Sequence, residues 1–154
     1  MLEQINVPRD AGTCTRCPFE CRLSHTDASQ PWKCQVSIRW EYERDGKRQD
    51  EVHEVEFGPT LTKPGDVELT LRRAQARVLN PDMSSDNFLK MSPEELKKPR
   101  PNQLKFSRNA VCVDISGPQL ADLAFVDLPG THRLSCLSHA GGYLFCGRNR
   151  PKCG

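Results

Sequence analysis

The chain has no run of about eighteen apolar residues, the length a membrane-spanning helix needs, so no such span is expected. Its amino end, Met1-Leu2-Glu3-Gln4, lacks the basic-then-apolar layout of a secretory signal. Charge of one sign is also missing: the formal net charge is only +2. No field for nucleic acid is implied, and no nucleic-acid partner is expected. Aromatics make up 6% of the 154 residues and hydrophobic residues 36%, which suits one domain with a modest core. Without a secretory signal, the eight cysteines are expected as thiols or metal ligands in a reducing cytoplasm rather than as disulfides.

Leu120–Gly130 reads Leu-Ala-Asp-Leu-Ala-Phe-Val-Asp-Leu-Pro-Gly. A short apolar run without an internal turn residue predicts a strand buried on both faces, ending at Asp127. An acidic residue at the carboxyl end of a strand, before a Gly-containing loop, suits a magnesium–phosphate group. By itself the tetrapeptide is a weak motif, since a strand-ending Asp before a turn is more often a plain cap. Near the other end, Asn6–Cys21 reads Asn-Val-Pro-Arg-Asp-Ala-Gly-Thr-Cys-Thr-Arg-Cys-Pro-Phe-Glu-Cys. Taken alone, this is a polar loop.

Together, in this order and separation, the two segments resemble the GTPase domain of the dynamin superfamily, in its fungal dynamin-like form. There a Pro-Arg-x-x-Gly-x-x-Thr-Arg-x-Pro segment forms the first switch and Asp-Leu-Pro-Gly opens the second. The resemblance runs over about residues 2 to 130. It implies an α/β fold: a partial P-loop GTPase with a mixed sheet and one to two helices, lacking the first strand and the later half. It also implies GTP as ligand, with Gly12, Thr15, Asp127 and Gly130 at the nucleotide. Thr15 would orient the attacking water and meet magnesium, and Asp127 would hold magnesium through water. Asp10 stands where animal dynamins usually carry Gly.

The same resemblance exposes two gaps. No Gly-x-x-x-x-Gly-Lys-Ser or Thr occurs anywhere, so the loop that cradles phosphates is missing. No Thr-Lys-x-Asp guanine-reading motif follows Gly130 either. Instead, residues 131–154 are free of acidic residues, Gly-rich and basic, and are expected to be an unrelated, disordered tail. A mis-spliced or frame-shifted end joined to a GTPase fragment would produce such a chain. Met1–Ile5 would then be the last turn of a helix whose beginning is missing.

Between the motifs, alternation predicts strands. Phe19, Cys21 and Leu23 share one face of the first. Trp32, Cys34, Val36, Ile38, Trp40 and Tyr42 share one face of a long strand over Gln30–Tyr42. Its aromatics fall on the apolar face, which makes them core rather than a base-stacking platform. Asp45-Gly46 turns the chain and Glu51–Phe57 returns, with His53 exposed. Pro64-Gly65-Asp66 predicts a helix to about Leu79, capped by Asp66, with Val67, Leu71, Ala74 and Val78 as its apolar stripe. Asp82–Asn87 reads as a polar loop, and Ser92–Glu95 as a capping box. Lys97, Lys98, Arg100, Lys105 and Arg108 form a basic cluster, read as a solvated loop with a lipid or partner contact as the alternative. Ala110–Ser116 alternates again and is expected to pair with Leu120–Leu128 as a hairpin.

The leading expectation is an incomplete dynamin-type GTPase domain over residues 1–130. Its parent would hydrolyse GTP with magnesium, self-assemble and remodel membranes from the cytoplasm or their surface. This chain itself would be inactive. The alternative is a small zinc-stabilised interaction domain held by Cys14, Cys17, Cys21 and Cys34, since Cys-x-x-Cys is a zinc half-site. A second metal set on paper is Cys136, Cys146 and Cys153 with His132 and His139. A third expectation is a chain without a stable fold, its sheet edges left open.

Overall fold

A computed structural model of the chain describes residues 15–129. Gly12, Cys14, Gly130 and the whole 131–154 segment therefore lie outside the described residues. Among the described residues five strands form one mixed sheet: β1 (Phe19–His25), β2 (Lys33–Tyr42), β3 (Arg48–Glu56), β4 (Ala110–Gly117) and β5 (Leu123–Asp127). Their order is β3-β2-β4-β1-β5. A 3₁₀ turn (Pro64–Asp66) leads into α1 (Val67–Val78), followed by the single-turn helices α2 (Ser85–Leu89) and α3 (Pro93–Lys97).

The expected hairpin between Ala110–Ser116 and Leu120–Leu128 does not form. β1 lies between its two halves, parallel to β4 from Phe19–Val111 to His25–Gly117, and antiparallel to β5 from Phe19–Asp127 to Leu23–Leu123. The 118–122 connection begins with Pro118 and crosses the end of β1 instead of making a tight turn. It is held there by the Asp122 carboxylate, which accepts from the His25 N–H at 2.7 Å, and by the Gly117 carbonyl, which accepts from the Thr26 N–H at 3.2 Å. β5 is thus the last strand in the order, and the expectation of burial on both faces fails. Leu123, Val126 and Leu128 are 44–51% exposed, whereas Asp127 is buried.

One face of the sheet carries the core. Phe19 and Cys21 of β1, Cys34, Val36 and Ile38 of β2, and Val111, Val113 and Ile115 of β4 lie in register across it. The α1 stripe of Val67, Leu71, Ala74 and Val78 is buried against these rows, as its spacing predicts. Asp66, however, makes no side-chain cap bond. Its backbone is already helical (φ −86°, ψ −11°) because the 3₁₀ turn feeds α1 directly.

Among the described residues three α-helices stand where one to two were expected. α2 begins inside Asp82–Asn87, the segment read as a polar loop, and runs two residues past it; Ser84 caps it and Phe88 is completely buried. A single turn whose two apolar residues, Phe88 and Leu89, are adjacent has no periodicity to read. α3 has the predicted capping box: Ser92 Oγ accepts from the Glu95 N–H at 3.2 Å, and Glu95 returns an oxygen to the Ser92 N–H at 2.7 Å. Gly58 sits at φ +78°, a left-handed conformation that favours glycine, and a Cβ there would also press on Leu89 Cδ2 at 2.8 Å. Trp40 is half-buried beneath the Arg77 guanidinium, 4.7 Å from its ring centre, in keeping with a core-margin aromatic.

The opposite face is polar. Arg39 meets Glu20 at 2.7 Å and Glu54 at 3.3 Å, and Arg22 meets Asp114 at 2.9 Å and Glu54 at 3.1 Å. Ser37 donates to Glu54 at 2.7 Å. Each pair is partly wet and contributes little alone. Together their aliphatic stems cover Cys112, whose position in the β4 register puts it on this face.

Cys17, Cys21 and Cys34 lie at the other side, fully buried with the core. Burial pushes all three thiols up to about 12, and Cys112 up to about 11. They behave as small apolar groups, since a thiolate there is strongly disfavoured.

Leu71→Ala is expected to lower unfolding stability by about 2–4 kcal/mol in urea titrations, as a fully buried leucine does. Val52→Thr, at a half-exposed edge position, should cost less than about 0.5 kcal/mol. Iodoacetamide at pH 8 should leave Cys17, Cys21, Cys34 and Cys112 unlabelled in the native chain and label all four in urea, read by peptide mass mapping. Rapid native labelling of any of them would contradict the buried, protonated assignment.

Candidate functional site

The chain arrives at β1 along a segment tied down by backbone bonds. The Arg16 N–H donates to Gln75 Oε1 of α1 at 3.1 Å, and the Arg16 carbonyl accepts from the Ser107 N–H at 2.9 Å. Pro18 then offers its carbonyl to the Val111 N–H at 2.9 Å. These anchors fix where Thr15 sits relative to the sheet.

From the other side, β5 runs antiparallel to β1 and ends with Asp127 opposite Phe19. The two motif residues are thereby brought together: Thr15 Oγ1 donates to Asp127 Oδ2 at 3.2 Å across 112 positions of sequence. Asp127 is only 7% exposed and Thr15 is half-buried. The Asp127 charge also reaches inward, adding to the burial that raises the Cys17 and Cys21 thiols, while Arg16 pulls Cys17 the other way.

A hydroxyl beside a buried carboxylate is a hard-oxygen pair. Magnesium takes oxygen ligands, keeps several waters and is commonly held by one or two protein oxygens plus phosphates. The donor set at Thr15 and Asp127 fits that description. Gly12 and Gly130, the other expected contacts to nucleotide, lie outside the described residues.

The zinc alternative gains no support from the geometry. Cys17, Cys21 and Cys34 are spread through the core on β1, β2 and the segment before β1, and Cys14 lies outside the described residues. Among the described residues, no group of three or more His, Cys, Asp or Glu side chains is placed to hold a metal. The second paper set, in 131–154, is outside the described residues as well.

Gln75 escaped the sequence reading. On α1 only apolar positions announce themselves by spacing, and the partner of Gln75 is 59 positions away. The basic cluster proves mixed: Arg100 is engaged with the Glu95 carbonyl and the Phe88 ring, while Lys97, Lys98, Lys105 and Arg108 are exposed. Among the described residues no helix is long and apolar enough to cross a membrane.

No family model matches the chain. It is similar over 134 residues, 87% of its length, to the interferon-induced GTP-binding protein Mx of Dicentrarchus labrax (22% identical) and that of Solea senegalensis (23%). The Mx2 protein of Sus scrofa is 24% identical over the same length of alignment. The chain spans 13–16% of the length of these relatives. This distant likeness supports the resemblance at the level of the dynamin superfamily, and does not single out its fungal form. The mixed sheet with few helices is compatible with part of such a GTPase domain.

Proposed function

We propose that the chain is a piece of a dynamin-like GTPase domain, carrying its first switch and the opening of its second. The observation that supports this most is the 3.2 Å hydrogen bond between Thr15 and Asp127. The two residues belong to separate motifs, and a chance pair of turns would have no reason to meet. The likeness to GTP-binding Mx proteins over most of the chain points the same way.

In this reading Thr15 and Asp127 hold magnesium, Asp127 through a water that its buried carboxylate orients. The ion, when bound with GTP, offsets the charge that builds on the phosphates. The Thr15 backbone, fixed by the Arg16 anchors, positions the attacking water. Gly12 and Gly130 let the chain pass close to the phosphates, Gly130 at the terminal one. GTP is the substrate, and self-assembly, membrane remodelling and a cytoplasmic or membrane-peripheral location would belong to a longer parent. A fungal dynamin-like protein is the parent type that the first-switch spelling favours.

The chain by itself is proposed to be inactive. Its sequence has no Gly-x-x-x-x-Gly-Lys-Ser or Thr, and a single lost donor to a developing charge costs about 3–4 kcal/mol in rate.

With magnesium and radiolabelled GTP, the 154-residue chain should release phosphate no faster than buffer. Joined to an upstream segment carrying the phosphate loop and a downstream guanine-reading segment, it should gain hydrolysis. In that longer protein Thr15→Ala and Asp127→Ala should each lower hydrolysis at least about a hundredfold. Turnover by the short chain at the pace of an intact domain would overturn the proposal, as would a longer protein indifferent to both substitutions.

A further inference from the structure

A cleft opens on the helical side of the sheet, between the approach to β1, α1 and α3. Thr15, Arg16 and Phe19 form one wall, Arg72, Gln75 and Ala76 of α1 a second, and Pro93, Leu96, Lys97 and Gln103 the third. Three of these lining residues are cations, two are primary amides, and none is a carboxylate. The floor is apolar where Phe19 and Ala76 are buried.

The walls are set before anything binds. Arg16 is fastened to α1 through Gln75, and Arg73 of α1 donates twice to the Met91 carbonyl, at 2.9 and 2.7 Å, just ahead of α3. The capping box holds the first turn of α3. Because Gln75 Oε1 accepts the Arg16 N–H, its amide NH₂ is the end left to donate. Arg72 is paired with Glu68 at 2.7 Å and serves as a fixed part of the wall. Arg16 and Lys97 carry no such ion pair among the described residues.

We infer that this cleft binds the phosphoryl group of a small phosphate monoester, with Arg16 and Lys97 as its charge partners and the apolar floor taking the ester group. The cationic and amide donors of Arg16, Gln75 and Lys97 suit a tetrahedral oxyanion, and Phe19, Ala76 and Leu96 favour an organic ester over free phosphate. The inference needs neither GTP nor a metal, so its failure leaves the GTPase proposal standing.

The test titrates the full chain with phenyl phosphate and, separately, with inorganic phosphate, followed by backbone amide NMR. Phenyl phosphate should shift Arg16, Gln75, Lys97 and Gln103 saturably and bind more tightly than inorganic phosphate. Lys97→Glu should weaken it at least about fivefold, and Arg16→Gln by a similar factor, while the same reversal at Lys47 on the β2–β3 turn changes it less than about twofold. Unchanged thermal melts of the variants would exclude unfolding as the cause. The inference is overturned by unsaturable shifts, by equal losses from Lys97→Glu and Lys47→Glu, or by inorganic phosphate binding as tightly as the ester.

Discussion

The placement of β1 between β4 and β5 is the constraint on which the rest depends. A hairpin of β4 with β5 would satisfy the local sequence, yet it would leave Phe19, Cys21 and Leu23 with one neighbouring row instead of two. With β1 inserted, its apolar residues are flanked by Val111, Val113 and Ile115 on one side and by β5 on the other. The same insertion sets Asp127 opposite Phe19, within reach of Thr15. Core burial and site assembly therefore rest on one pairing choice. Side-chain period 2 makes it strict, because a one-residue slip of β1 would turn Phe19 and Cys21 toward water and move Asp127 out of register.

How far the sequence reveals this depends on the range of the interactions. Alternation located β1, β2 and β4, a turn signal located β3, an unbroken apolar run located β5, and the 3.6-residue stripe located α1, because all of these signals are local. The α3 capping box was legible for the same reason. Sheet order was not, since nothing in Ala110–Ser116 or Leu120–Leu128 states that a strand from Phe19–His25 comes between them. The exposure of Leu123 and Val126 followed from that missed order, as an apolar strand read as central became the last one. Thr15 and Asp127 were legible through their motif spelling, and their meeting needed the fold. Gln75 and the cleft beside it carried no signal at all, being assembled from the approach to β1, α1 and α3.

The two faces of the sheet set different terms for any larger assembly. On the α1 side, the burial of Val36, Val113 and Leu71 supplies the hydrophobic stabilisation. On the other side, Glu20, Arg22, Arg39, Glu54 and Asp114 form a mixed-charge lattice that tolerates water. Such a face needs no second apolar layer to be satisfied. The described residues thus enclose a core of their own on the α1 side of the sheet. The edge at β3 is similarly guarded, with Asp50, Glu51, Glu54 and Glu56 along it.

The central claim is that the fold couples Thr15 to Asp127. A double-mutant cycle on the full chain, with Thr15→Val and Asp127→Asn alone and combined, measures that coupling by urea unfolding. A direct hydrogen bond at a largely buried carboxylate predicts an interaction energy of about 0.5–1.5 kcal/mol. If the two substitutions add to within about 0.3 kcal/mol, the residues do not meet in solution. The link between the two motifs, and the reading built on it, would then fall.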